Sequence, residues 1–175
     1  MAENEPAYSV HAIHLVRTAV QANLTLSQMA DQKASMLLAA TLVVFTISIG
    51  QAGSGPHAPA LLVLALFAFL AALCAILAVV PLVANPAKRP DEANLLFFSA
   101  FSDLDEAEFC NRLLPRLTSD EDVFRVMLHD LHQNGQVLQR KKYRWLGRAY
   151  WLFFSGLVLA GLTLIAINLP AISGL

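Results

Sequence analysis

Residues 140–145 read Arg-Lys-Lys-Tyr-Arg-Trp, a run of cations interleaved with two aromatic rings. Arg140, Lys141, Lys142 and Arg144 can hold a phosphate, Tyr143 can stack on a base, and Gln136, one helical turn earlier, adds an amide donor and acceptor. The same composition also anchors a helix at a lipid–water interface, and by residue type alone the anchor is favoured. A second group lies far away in the chain, where Asp31 and Lys33 stand just before a long apolar run. Lys33 reads as a snorkelling stop, and Asp31 as a partner for the basic stretch RKKYRWLGR at the same membrane depth. A proton relay or an ion site is the sharper alternative, but neither residue lies deep enough to be costly, so pairing is preferred.

Two histidine pairs, His11 with His14 and His129 with His132, share the i,i+3 spacing that places both rings on one helix face. Such a pair can begin a metal site. No carboxylate or cysteine completes either pair at helical spacing, so ordinary histidines on a solvated face are the preferred reading and no cofactor is expected. Cys74 falls inside an apolar run and Cys110 outside one, which argues against a disulfide. There is no nucleophile elbow, phosphate-cradling glycine loop or paired-carboxylate signature, so an enzyme is not expected.

The elements that must position these residues follow from composition. Of 175 residues, 57% are hydrophobic and 14% charged, against roughly 25% charge in an average soluble domain. Three segments approach or exceed the roughly 20 apolar residues that a helix needs to cross hydrocarbon, namely 34–51, 60–84 and 149–170. The second contains no charged or hydroxylic side chain. The first is short and carries Thr41, Thr46 and Ser48. Pro81 lies near the end of the second, where a kink or a stop is tolerable.

All twelve Lys and Arg residues lie before the first span or between the second and third, whereas the connection at 52–59 and the tail at 171–175 have none. The positive-inside rule then predicts a cytosolic N-terminus (1–33), a cytosolic region at 85–148, and an external C-terminus. The expected fold is all-α: an integral membrane protein with three transmembrane helices, the first and third extending into a cytosolic helical bundle.

Within the cytosolic part, Ile13, Val16, Val20, Leu24 and Ser27 follow steps of three and four, and nothing from Tyr8 to Gln51 breaks a helix of roughly 40 residues, about 60 Å long. Thr118 with Glu121, and Ser119 with Asp122, fit a capping box that starts a partner helix running to the third span. Gly135 and Gly147 weaken that helix by about 1 kcal/mol each without stopping it. The stretch NPAKRPDEA (85–93) reads as a turn-rich exit from the second span. NLLFFSAF (94–101) is an apolar patch suited to the interface or to packing on the long helices. Ser102 is a possible cap for DLDEAEFCNRLL, which Pro115 ends. Gly156 with Ala160, Ala68 with Ala72, and Ala71 with Ala75 form small-xxx-small steps suited to self-association.

At LSQMADQKASMLLAATLVVFTI, NLLFFSAF and MLHDLHQNGQVLQRKKYRWLGRAYWLF the chain resembles the Pycsar effector family of bacterial membrane proteins. The elements ADxKAxxLL at 30–38 and GxVLxxKYxxLxxAY at 135–150 carry the resemblance, with one departure: an extra lysine makes RKKY here. The resemblance implies antiphage defence. A partner cyclase makes cyclic CMP or cyclic UMP during infection, and the effector responds by impairing the inner membrane. It implies no nucleotide-contacting residue that can be carried over. The expected partners are the bilayer, a cyclic pyrimidine nucleotide and further copies of the chain, without nucleic acid.

Two groups of cations can serve such a ligand: Arg112, Arg116 and Arg125 away from the bilayer, or Arg140–Arg144 with Gln136 near it. The second is preferred because ligand charge there competes with the Asp31 pairing. A constitutive membrane subunit whose helical head docks a protein is the alternative function.

Overall fold

The computed structural model describes residues 8–53, 55–80, 94–97, 101–102 and 104–172, with side chains through 169. The described residues are helical with turns between, and no strand occurs among them. Three helices are long and apolar enough to cross a membrane. Helix α1 is Ala12–Gln51, α2 is Ala58–Val79, α3 is Glu106–Leu113, α4 is Asp120–Val137 and α5 is Arg144–Ile172. A 3₁₀ turn, Leu114–Leu117, follows α3, and a π-helical segment, Leu138–Tyr143, joins α4 to α5. The chain divides into two compact units, Met1–Leu26 with Pro81–Leu138 and Ser27–Val80 with Gln139–Leu175.

The second unit holds the apolar spans. The first expected helix is present as one element of 40 residues that begins at Ala12 rather than Tyr8. Its hydroxyls are satisfied locally: Thr41 Oγ1 bonds the carbonyls of Leu37 and Leu38 at 2.9 Å, and Thr46 Oγ1 donates to Leu42 at 2.8 Å. Hydrocarbon offers no other acceptors, so back-bonding makes these side chains tolerable there. Gly55, at φ +126°, makes the turn that leads to α2, a conformation that L side chains rarely adopt.

Pro59 sits in the first turn of α2, where its missing N–H costs nothing. At the other end Pro81 drives Val80 out of the helical region, to φ −52° and ψ 122°, and α2 stops at Val79. Pro81 to Ala84, the remainder of the expected second span, and the expected exit turn at 85–93 lie outside the described residues.

Alanines let these helices approach. Ala34 and Leu37 of α1, Ala75 and Ala78 of α2, and Leu146 and Ala149 of α5 form one buried cluster. Further along, Gly156 of α5 meets Phe67 of α2 so closely that a Cβ built on the glycine would fall 2.4 Å from the Phe67 Cβ. Ala68, Ala71, Ala72, Ala75 and Ala160 are buried within the chain. The small-xxx-small steps expected to serve self-association are therefore spent on packing inside one protomer.

In the first unit, Ser119 caps α4. Its Oγ accepts the Asp122 N–H at 3.2 Å and donates to the Asp122 carboxylate at 2.8 Å, and Thr118 donates to the same carboxylate at 3.2 Å. Of the two capping boxes read from the sequence, the one built on Ser119 is used, because Ser119 has the extended backbone of a cap and Thr118 the helical one. Ser102 does not cap α3. That helix starts later, on Asp105, whose carboxylate accepts the Ala107 N–H at 3.2 Å. Pro115 ends the α-helix as expected and carries the chain into the 3₁₀ turn.

The described part of the apolar patch, Asn94–Phe97, forms a turn pinned to α4. Asn94 Nδ2 donates to Asp130 Oδ1 at 2.8 Å, Asn134 Nδ2 donates to the same oxygen at 2.9 Å, and Asn94 Oδ1 accepts the Leu96 N–H at 3.1 Å. Asn94 and Leu95 are both buried. Asn94→Ala removes two bonds and leaves a carboxylate oxygen short of a donor, a loss of about 1–3 kcal/mol. The expected outcome is a lower melting temperature in detergent with the helix content of the folded state unchanged. An unaltered midpoint would show that the turn contributes nothing.

Candidate functional site

Of the cations singled out in the sequence, those of the first unit are occupied. Arg112 is paired with Glu108 within α3, and Arg125 with Glu121 at 2.5 Å within α4. Both are i,i+4 surface pairs, which contribute little to stability. Arg116 also has an interaction partner. The histidine pairs divide. His11 stands at the threshold of α1, its carbonyl accepting the Leu15 N–H at 3.1 Å, and His14 lies in the first turn. On α4, His129 Nε2 lies 2.9 Å from Gln133 Nε2 and His132 Nε2 lies 2.6 Å from Gln136 Nε2. Gln136 is thus engaged within the first unit. No three His, Cys, Asp or Glu side chains gather as metal ligands among the described residues.

The second unit assembles the other group around Asp31. Lys142 Nζ lies 2.6 Å from Asp31 Oδ2 and 2.8 Å from Ser27 Oγ, joining α1 to the chain segment that enters α5. The Lys142 side chain is 19% exposed and that of Asp31 40%. Asp31 Oδ1 is buried and has no hydrogen-bond partner among the described residues. The pair is therefore half-satisfied, held by one strong charge-assisted bond and carrying one idle acceptor.

Lys141 turns elsewhere. Its ammonium donates to the carbonyl of Val80, at the negative end of the α2 macrodipole. Burial, then the neighbouring Lys142 charge, push its pKa below the ordinary lysine value, and Asp31 partly restores it. Arg140, Tyr143 and Arg144 remain exposed, as does Lys33. Arg148 stacks over the Trp145 ring, 4.6 Å from its centroid.

Side chains adjacent in sequence take these separate tasks because the backbone there is π-helical. One extra residue in a helix rotates everything after it by about 100°. A π turn absorbs that residue as a bulge, and such bulges concentrate at functional sites. Leu138–Tyr143 contains the whole run Arg140–Lys141–Lys142, so the bulge falls on the basic residues themselves.

Sequence reasoning located Asp31 and the basic run. It missed Ser27 as a ligand of Lys142, the Val80 carbonyl as the seat of Lys141, and the bulge itself. The bulge left no sign in the residue types. The Val80 carbonyl left none, since backbone acceptors are the same at every position.

A family model described as the Pycsar effector protein domain matches residues 14–167 of the chain. No curated protein and no solved structure matches.

Proposed function

The chain belongs to the Pycsar effector family, and from that premise we propose that it is a non-enzymatic membrane effector of antiphage defence. In this reading it responds to a cyclic pyrimidine nucleotide, cyclic CMP or cyclic UMP, by oligomerising and impairing the inner membrane. Its N-terminus and residues 85–148 face the cytosol and its C-terminus lies outside, the orientation that the distribution of Lys and Arg favours.

The observation that carries this reading is the half-satisfied pair of Asp31 and Lys142, which ties α1 to the entrance of α5 beside exposed Arg140 and Arg144. A phosphodiester arriving at Arg140 and Arg144 competes with Asp31 for Lys142. It thereby interacts differently with the paired and unpaired states, as any gating ligand must. Exposed Tyr143 offers a face for the base. No metal or further cofactor is required.

In dye-loaded liposomes carrying the protein, cyclic CMP or cyclic UMP is expected to cause leakage and cyclic AMP much less. Arg140→Ala with Lys142→Ala is expected to blunt the nucleotide-dependent increment. Leakage indifferent to every nucleotide, with no binding by calorimetry, would overturn the gated effector in favour of a constitutive subunit that docks a protein.

A further inference from the structure

Helix α1 carries two stripes. The inner one, including Val16, Ala34, Leu37 and Thr41, is buried within the chain. On another face, roughly 120° around the helix at about 100° per residue, Leu15, Thr18, Ala22, Thr25, Met29 and Gln32 recur at alternating steps of three and four, and every one of them is exposed. The stripe continues through Met36 and Val43 into the apolar half of the helix, with Leu15 73% and Met36 64% exposed. From Thr18 to Ala30 the helix has no charged side chain at all, which is unusual for a face left to water.

We propose that this outer stripe is the seat on which a second copy of the chain packs, α1 against α1, parallel and in register. Alternating three-four spacing is the seam of a left-handed coiled coil. Copies inserted in one bilayer share an orientation, so each residue of the seam meets its own counterpart at the same depth. A charge on such a seam would face its like, and the seam has none. The positions flanking its first half, Ala19, Gln21, Leu26 and Gln28, are also uncharged.

A foreign partner would impose no such restriction, and a soluble one cannot follow the stripe into the apolar half. Beside the seam in the first unit lies an open groove of about 920 Å³, lined by Thr18, Ala22, Thr25 and Met127 with His14 and Arg17 at its N-terminal end, which leaves room for side chains of a neighbour. Gln32 is the one amide on the seam, and two copies of it can bond across the pair and hold the register. The small-xxx-small steps of α2 and α5 are buried in the protomer, and the α1 stripe is the face assigned to the self-association included in the proposed function, on which this inference rests.

Single cysteines test the seam in native membranes, in a Cys110→Ser background whose remaining Cys74 serves as the blank. Ala22→Cys and Met29→Cys are expected to give an oxidised dimer under a mild copper oxidant, whereas Leu24→Cys, equally accessible but off the seam, is not. The discrimination is geometric, since a disulfide needs Cα atoms about 4.4–6.8 Å apart. Ala22→Lys, combined with Met29→Cys, is expected to abolish the dimer by setting two ammonium groups face to face. Equal cross-linking at all three positions, cross-linking at none, or a dimer indifferent to Ala22→Lys would overturn the proposal. No nucleotide enters the measurement, so its failure would leave the gating response to be judged on the leakage assay alone.

Discussion

Gly156→Leu is expected to abolish the folded protein, while Gly161→Leu, five residues along the same helix, is expected to be nearly silent. A Cβ on Gly156 would meet the Phe67 Cβ at 2.4 Å, its Cγ at 3.1 Å and its Cα at 3.7 Å, whereas a Cβ on Gly161 meets nothing within 4 Å. The obstruction at Gly156 includes the root of the Phe67 side chain and its backbone, neither of which can swing away. Even Gly156→Ala requires α2 and α5 to move apart, at about 1–3 kcal/mol by analogy with overpacked cores. Leucine adds three further carbons to a gap that does not exist.

Association of helices in lipid depends on close packing because lipid is as apolar as a leucine side chain, so a widened interface gains nothing in exchange. The expected readouts for Gly156→Leu are loss of the monodisperse peak in detergent and a large fall in thermal midpoint, with Gly161→Leu matching the parent. Equal behaviour of the two variants would mean that α2 and α5 are not held at this point. The same contact changes what such a substitution would have meant from sequence alone: a bulky residue at Gly156 acts on the protomer before it acts on any oligomer.

The second large effect concerns the pair at the entrance of the spans. Asp31→Ala or Lys142→Ala is expected to destabilise the paired arrangement by about 1–2 kcal/mol, between the value of an exposed pair and that of a buried one. That shifts a two-state population by about 5–30-fold. In liposomes this is expected to raise leakage in the absence of nucleotide and to shrink the increment that nucleotide adds. The double variant Asp31→Ala with Lys142→Ala is expected to lie close to either single one, because the interaction can be lost only once. Strict additivity would show that the two residues act independently.

Lys141 gives the pair a signature in pH. Its pKa is held below the ordinary lysine value by burial first and by Lys142 second, with Asp31 opposing them. Between the lowered folded value and the ordinary one, the unfolded chain binds more protons than the folded one, so stability rises with pH across that alkaline window. Asp31→Asn removes the opposing charge and is expected to widen the window downward. A thermal midpoint measured against pH, with and without Asp31→Asn, checks the sign. A midpoint that falls across the window in the parent would show that Lys141 is not buried as described.

Much of the architecture was legible because it depends on properties that add along the chain. Apolar length decides whether a helix can cross hydrocarbon, and 34–51, 60–84 and 149–170 declare themselves residue by residue. The helix from Ala12 to Gln51 was visible because no proline or glycine interrupts it before Gly50. Pro81 and Pro115 marked real helix ends, since proline acts on its immediate neighbours. Asp31 and the basic run were recognisable as charges stranded beside apolar segments.

Tertiary structure decided everything that requires two distant residues to meet. Asp31 had several lysines and arginines to choose from, and Lys142 won because the π turn at Leu138–Tyr143 aims it and Lys141 at different acceptors. Asn94 lies 36 residues before Asp130, and nothing local foretells that the turn will be pinned there. Gly156 and Ala68 have the same spacing motifs whether they face a neighbour in the chain or another copy of it. Only the packing of α2 on α5 assigns them inward and leaves the uncharged face of α1 outward, because a motif specifies how closely two backbones can approach and not which two they are.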